Sequence, residues 1–318
     1  MKALSVLLLV LLSLVFAPLS GESWISPWSD AETSRVILWE VRLPRVLLAF
    51  ICGAALSLGG LVFQAMFRNA LATPYTLGVA SGSAFCVALV SLLGLQFSLL
   101  GISGLSLAGM VGAFLSIGIV YGLSRLVGGF ASTSLLLGGV ILGFFFSSLT
   151  MLVQHFSDAT SMYRLVRWGM GSLGHASYES VLTVFPFVVT GAMVIACYRK
   201  ELDHLVLGDV LAKSRGVEVD VVRRGLFFAV SLMVAGVVSV CGPIGFVGII
   251  VPHLCRKLFG VKHQSLYFYS ILLGGVFLVW CDTLARSLTA GSDLPVGIVT
   301  ALLGGPFFLV VLVRKQGQ

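Results

Sequence analysis

The side chains best able to do chemistry gather between Arg199 and Arg224, in a chain that is otherwise largely apolar. Eleven Asp, Glu, Lys and Arg residues fall in this stretch: Arg199, Lys200, Glu201, Asp203, Asp209, Lys213, Arg215, Glu218, Asp220, Arg223 and Arg224. At a bilayer centre each would cost roughly 2.5 to 3.5 kcal/mol, about 30 kcal/mol together, so the stretch belongs in water. Its basic ends place it on the cytoplasmic side. Leu202, Leu205 and Leu207 form an apolar edge that stops at Gly208. Asp209 is then positioned as the N-cap of a second short helix through Val210, Leu211 and Ala212, with Gly216 as a left-handed C-terminal stop. Helices this short are marginal alone. Two readings follow, a solvated loop or a docking surface for a soluble subunit.

Catalytic constellations are missing elsewhere. No G-x-x-x-x-G-K-[ST] occurs, so ATP chemistry must come from another subunit. The six cysteines (Cys52, Cys86, Cys197, Cys241, Cys255 and Cys281) stand singly and read as small core residues. The five histidines are scattered, so neither a metal site nor a cofactor is expected. No Asp, Glu, Lys or Arg falls near the middle of a predicted membrane helix, which weakens an ion-coupled carrier. Neutral polar residues, Gln64, Ser147, Ser148, Thr150 and Gln154, could line a path or bond to neighbouring helices.

The elements that must position these residues follow from composition. With 58% hydrophobic and 10% charged residues and a mean hydropathy of +1.06, this is an all-α, polytopic membrane protein. At about 20 residues per crossing it has about ten transmembrane helices. Residues 1–20 mimic a secretory signal with a possible Val15-Phe16-Ala17 cleavage site, but an uncleaved first helix is expected, because starting in the cytoplasm makes every later crossing agree with the charge bias. An outer loop over 21–41 carries Trp24, Pro27 and Trp28. Crossings are predicted at Arg45–Met66, Leu77–Leu95, Leu99–Arg125, Leu135–Gln154, Val181–Cys197, Leu226–Val240, Phe246–Leu258, Leu266–Leu284 and Val296–Val313. Residues 155–177 hold a short outer helix around Tyr163, Leu165, Val166 and Trp168. Gly78 with Gly82, and Gly139 with Gly143, offer surfaces for close helix approach. Pro252 should kink its helix, and His253 beside it could satisfy the freed carbonyl or bond across helices.

This topology puts both termini in the cytoplasm, with fourteen Lys and Arg inside and six outside. The outer six (Arg35, Arg42, Arg45, Arg164, Arg167 and Arg286) contain no lysine, and arginine suits bidentate capture of carboxylates. An acidic partner on the outer face is expected. The net charge of +7 needs no nucleic-acid partner, since flanking basic residues serve topology.

Two stretches are too particular for generic helices. One runs Arg42-Leu-Pro-Arg45, Gly53-Ala-Ala-Leu-Ser-Leu-Gly-Gly60, Gln64-Ala-Met-Phe-Arg-Asn69, Leu71-Ala-Thr-Pro74 and Leu77-Gly-Val-Ala-Ser-Gly82. The other runs Gly242-Pro-Ile-Gly-Phe-Val-Gly-Ile-Ile-Val-Pro-His253, Asp282-Thr-Leu-Ala-Arg286, Leu294-Pro-Val-Gly297 and Gly304-Gly-Pro-Phe-Phe308. With Leu205-Val-Leu-Gly208, these resemble the FecCD-type permease subunits of bacterial ABC importers for ferric siderophores, haem and cobalamin, from about residue 40 to the C-terminus. The resemblance implies a homodimer in the bacterial inner membrane, a cytoplasmic ABC ATPase subunit, and a periplasmic or lipid-anchored substrate-binding protein. It implies ATPase coupling through Leu202, Leu205, Leu207, Gly208, Asp209, Ala212, Arg215 and Gly216. It implies binding-protein docking at Arg42, Arg45 and Arg286, and a path and gate over Leu135–Trp168, with Ser147, Ser148, Thr150, Gln154 and Trp168 as candidates. Two positions depart from the family pattern: Asn69-Ala70 stands where Asn-Pro is usual, and Arg215 where Leu is usual.

The expectation is a single transmembrane permease domain over 1–318, with a coupling loop at 199–224. It moves an iron chelate, haem or cobalamin by alternating access and is not an enzyme. An ATP-independent carrier or channel is the alternative.

Overall fold

The computed structural model describes residues 2–21, 32–95, 97–99, 102–126, 132–288 and 293–316, and Trp24, Pro27 and Trp28 lie outside them. After α1 (Lys2–Leu19) the chain resumes in α2 (Glu32–Val36), passes through π-helical turns over Ile37–Arg42, and enters α3 (Leu43–Phe67). The expected loop over 21–41 is therefore helical from Glu32. Pro44 can give no N–H to the preceding turn, and the helix continues past it by widening, the Leu43 N–H bonding to the Leu38 carbonyl five residues back.

α3 is buried on all sides, at 21 of its 25 residues. A helix apolar all round needs cover all round. The cover comes from α8 (Tyr178–Cys197), α11 (Val219–Cys241), α12 (Val247–Phe259) and α13 (His263–Leu288). Two crossings run backbone against backbone. A Cβ on Gly53 would lie 2.2 Å from the Gly274 carbonyl oxygen, and one on Gly60 would lie 2.0 Å from that of Gly248. Such contacts supply the close van der Waals packing that replaces the hydrophobic effect between helices in lipid.

A second layer comprises α4 (Val79–Leu92), α5 (Gly104–Leu126) and α6 (Ser132–His155). Here the two expected small-residue surfaces meet each other. A Cβ on Gly78 would lie 3.2 Å from both the Gly139 carbonyl oxygen and the Gly143 nitrogen, while Gly82 faces Gly112. The helix expected from Leu99 starts only at Gly104. Before it, β1 (Ser98–Leu99) pairs antiparallel with β2 (Ile102–Ser103), Ser98 opposite Ser103.

Short helices α7 (Ala159–Gly169), α9 (Arg199–Val206) and α10 (Asp209–Ser214) and the last helix α14 (Val296–Gln316) complete the chain. Among the described residues six helical segments are long and apolar enough to cross a membrane: 32–67, α5, α6, α8, α11 and α13. α1, α4 and α14 are shorter apolar helices. The 13-residue α12 contains Pro252, and His253 meets the Phe307 ring edge-on, which ties α12 to α14.

Gly60→Ala should lower thermal stability by about 1–3 kcal/mol through overpacking against α12. Gly118→Ala, where a Cβ meets nothing within 4 Å, should leave the unfolding midpoint of the detergent-solubilised protein unchanged or slightly raised.

Candidate functional site

The Arg199–Arg224 island folds as the two expected short helices. Leu202 and Leu205 on α9 and Ala212 on α10 are buried against the body, which supplies the packing that isolated short helices lack. Leu207, Val210 and Leu211 point outward, Val210 at 82% exposure, beside Lys213 and Arg215. The expected set thus divides: Leu202, Leu205 and Ala212 anchor the island, while Leu207 and Arg215 are presented. Helical spacing puts Val210 and Leu211 off the face of Ala212, a signal that reading only the leucine edge missed. Gly216 has φ +80° and ends the second helix in the left-handed region, as its position predicts.

Asp209 is not the N-cap. Gly208, at φ +111°, takes that position and Asp209 is the first helical residue. Its carboxylate is drawn elsewhere, accepting two hydrogen bonds from Arg223 at 2.9 and 2.7 Å, with Arg68 at 3.8 Å. Arg68, in the left-handed region at the end of α3, sits over Gly208. Asp203 takes the role of an external cap for α13: its Oδ1 accepts from the His263 backbone N–H at 2.8 Å and lies 2.7 Å from Nδ1. Arg215 Nη1 contacts His204 Nδ1 at 3.3 Å, bridging α10 to α9. The island is therefore pinned to the ends of α3, α11 and α13.

On the opposite side Arg42, Arg45 and Arg286 converge, each largely buried. Asp282, fully buried on α13, accepts from Arg45 Nε at 3.0 and 3.1 Å and lies 3.1 Å from Arg286 Nε. Arg45 also donates from Nη1 to Asp293 at 2.9 Å. Arg286 bonds to the carbonyls of Ala17 and Ser20, and Arg42 to those of Pro18 and Leu19, so both satisfy carbonyls that the end of α1 leaves without helical partners. The i,i+4 spacing of Asp282 and Arg286 was the available sequence signal for this cluster. Asp203 with His263, and Asp209 with Arg223, carried none, being joined only by the fold.

The expected path residues do not form one group. Ser147 and Ser148 lie on the exposed side of α6 with Phe144, Phe145, Met151 and Leu152. The Ser148 and Thr150 hydroxyls donate to carbonyls of their own helix, and Gln154 is half-buried one turn beyond Thr150. Trp168 lies apart, lining a cavity of 300 Å³ with Ser103, Ser106, His175, Glu179 and Ser239. α7, which carries Trp168, is N-capped by Asp158, whose side chain accepts from the Ser161 and Thr160 N–H groups. Hydrogen bonding from Ser161 holds this carboxyl below the usual carboxylate range, so the cap is present at neutral pH and is lost on acidification. After α7 the Gly169–Gly174 run packs backbone against backbone: Gly171 (φ +68°) on Pro243, and Gly297 at the start of α14 on Met170. Gly297 N–H bonds to the Gly171 carbonyl and Ser172 N–H to that of Cys241.

A model of the FecCD transport family matches residues 3–314. The chain is 36% identical to the hemin transport system permease protein HmuU of Yersinia pestis, over 98% of this chain and 95% of that protein. It is also 36% identical to the vitamin B12 import system permease protein BtuC of Salmonella typhi, over 98% and 94%. Its backbone is similar to a solved metal-chelate type ABC transporter in an inward-facing conformation, with a TM-score of 0.89 and 34% identity, covering 98% of each chain.

The Asp209–Arg223 pair should behave as a coupled, half-buried unit. Asp209→Leu and Arg223→Met should each destabilise the reconstituted protein, and the double variant should lose less than their sum, with a coupling energy of about 1–3 kcal/mol from thermal unfolding.

Proposed function

The chain belongs to the FecCD transport family, and we infer that it is the membrane-spanning permease of an importer carrying an iron chelate such as a ferric siderophore, haem or cobalamin. Transport is driven by a separate ATP-binding-cassette subunit, and a substrate-binding protein delivers the cargo. The observation that carries this reading is a backbone that follows a metal-chelate type ABC transporter along nearly its whole length. The protein is a multi-pass protein of the bacterial inner membrane, in a transport family rather than an enzyme family.

In this reading the chain is one permease domain over 1–318, crosses ten times with both termini in the cytoplasm, and pairs with a second copy. The ten crossings are the six long apolar segments together with α1, α4, α12 and α14. The poorly covered apolar face of α6 supports a second copy beside the path, with Ser147, Ser148, Thr150 and Gln154 from α6, and Trp168 near its outer end.

The ATPase docks on the island. Leu207, Val210, Leu211 and Arg215 make the contact, Leu202, Leu205 and Ala212 hold it to the body, and Gly208, Asp209 and Gly216 set its shape. Swinging a two-state permease from 1:99 to 99:1 takes about 5.5 kcal/mol of differential binding. An exposed ion pair of about 0.5 kcal/mol would yield before transmitting such a load. Breaking a buried pair costs about 3–5 kcal/mol, and with Arg223 4% but Asp209 38% exposed the Asp209 link lies between these two limits. Asp209 thus passes movement of α10 to α11, and Asp203 passes movement of α9 to α13. The path opens alternately to each side as the two copies rock.

Arg42, Arg45 and Arg286 receive carboxylates of the binding protein. An ATP-independent carrier is the competing reading, and one experiment separates them. The chain is co-reconstituted in liposomes with its ATPase and binding protein, and uptake of ferric siderophore, haem and cobalamin is measured. One cargo should enter only with ATP, whereas uptake without ATP would overturn the importer reading. Val210→Glu with Leu211→Glu should abolish ATPase co-purification and uptake together while leaving the permease folded.

A further inference from the structure

The arginines proposed to capture the binding protein already have carboxylate partners within the chain, and the two partners of Arg45 differ. Asp282 is fully buried and shared between Arg45 and Arg286, so removing it would strand two cations in a poorly solvated site. Asp293 makes one contact with Arg45, at 2.9 Å, and its side chain is 46% exposed. A carboxylate arriving from outside would reach Arg45 Nη1 where Asp293 now sits. The exchange of one carboxylate for another leaves no buried charge unpaired at its end, which makes it far less costly than opening the cluster.

Asp293 also touches the glycine run that follows α7. Its Oδ2 lies over Gly174, 2.9 Å from where a Cβ would be, and three residues separate it from Gly297, whose N–H bonds to the Gly171 carbonyl. The same carboxylate therefore holds a docking arginine and rests on the glycine run that follows α7.

We propose that Asp293 is a positioning residue that occupies Arg45 until a carboxylate of the substrate-binding protein displaces it, and that its departure loosens the packing of Gly171–Gly174 on the start of α14. Docking strength is then set by competition between an internal and an external carboxylate for one guanidinium, and docking is felt at the outer end of the path. This rests on the docking role of Arg45 and Arg286.

The test measures the affinity of the cognate substrate-binding protein for the full-length permease in nanodiscs, together with hydrogen–deuterium exchange of peptides covering 171–176 and 294–298. Arg45→Gln and Arg286→Gln should weaken binding; if neither does, the docking reading fails and this inference falls with it. Asp293→Asn should strengthen binding about fivefold by removing the competitor. Asp293→Ser, a second variant, should do the same. Glu179→Gln removes a charge elsewhere without touching Arg45 and should leave affinity unchanged. Exchange over 171–176 should rise when the binding protein is added to the wild type, and be high already in both Asp293 variants. If the arginine variants weaken binding while the Asp293 variants bind as wild type or more weakly, the displacement is overturned and docking stands. Equal strengthening by Glu179→Gln would also overturn it, leaving a general charge effect.

Discussion

Among the described residues, the packing of the first helix layer centres on the burial of α3. In lipid there is no hydrophobic drive to bring helices together, so a helix is held at the centre only if neighbours approach closely enough for van der Waals contact over its length. Gly53 against Gly274 and Gly60 against Gly248 allow that approach, and a side chain at any of these positions would push the helices apart. The result is a rigid rod with chemistry at each end. Arg45 stands near the N-terminal end in the carboxylate cluster, and Arg68 at the C-terminal end over Gly208 and Asp209. At 1.5 Å per residue the two lie about 34 Å apart along the helix, so one element spans the membrane between the proposed docking and coupling sites.

The same lipid constraint explains where the backbone departs from helix. Non-helical backbone at membrane depth survives only when protein satisfies its polar groups. The segment between α3 and α4 returns alongside α3, with Pro74 near Gly59, and α11 and α12 are separated by Gly242–Phe246. These two irregular stretches meet where the Ile244 N–H donates to the Tyr75 hydroxyl at 3.1 Å, and beside them Gln64 of α3 donates to the Gly248 carbonyl of α12 at 2.8 Å. Arg256 in turn donates to Gln64 Oε1. Phe246, at φ +66°, carries the backbone strain that a turn into α12 requires. Of the two roles the sequence offered Gln64, lining a path or bonding to a neighbouring helix, it takes the second, donating to the Gly248 carbonyl that Pro252, four residues on and without an N–H, leaves free.

Charge is treated differently at the two ends. At the Arg45 end of α3, three guanidiniums and two carboxylates are drawn together under the end of α1, where unpaired helix carbonyls absorb the excess positive charge. At the Arg68 end, the Asp203 and Asp209 carboxylates tie short helices to long ones and leave apolar Val210 and Leu211 exposed. An exposed apolar patch on such a fixed base is suited to a partner, because little ordering entropy remains to be lost on binding.

The class of this protein was legible from its residues because lipid imposes simple rules: long apolar runs, charges in a few places, and glycines where helices cross. Periodicity and length located α3, α5, α6, α8, α11 and α13 to within several residues. Ordered motifs carried the family, and the composition of the Arg199–Arg224 stretch marked it as aqueous. Boundaries failed where local chemistry was overruled. Helix begins at Glu32 because a π-helical widening absorbs Pro44, and Asp209 leaves its expected capping role because Arg223, fourteen residues on, offers a charged partner. Pairings between distant residues, Asp203 with His263, Arg45 with Asp282 and Asp293, and the glycines of α3 with those of α12 and α13, depend on which helices stand side by side. Sequence alone determined that the chain crosses a membrane and which side chains cannot face lipid. Only the tertiary structure decided which of those side chains meet, since a buried charge takes whatever partner the packing brings within reach, however far away it lies along the chain.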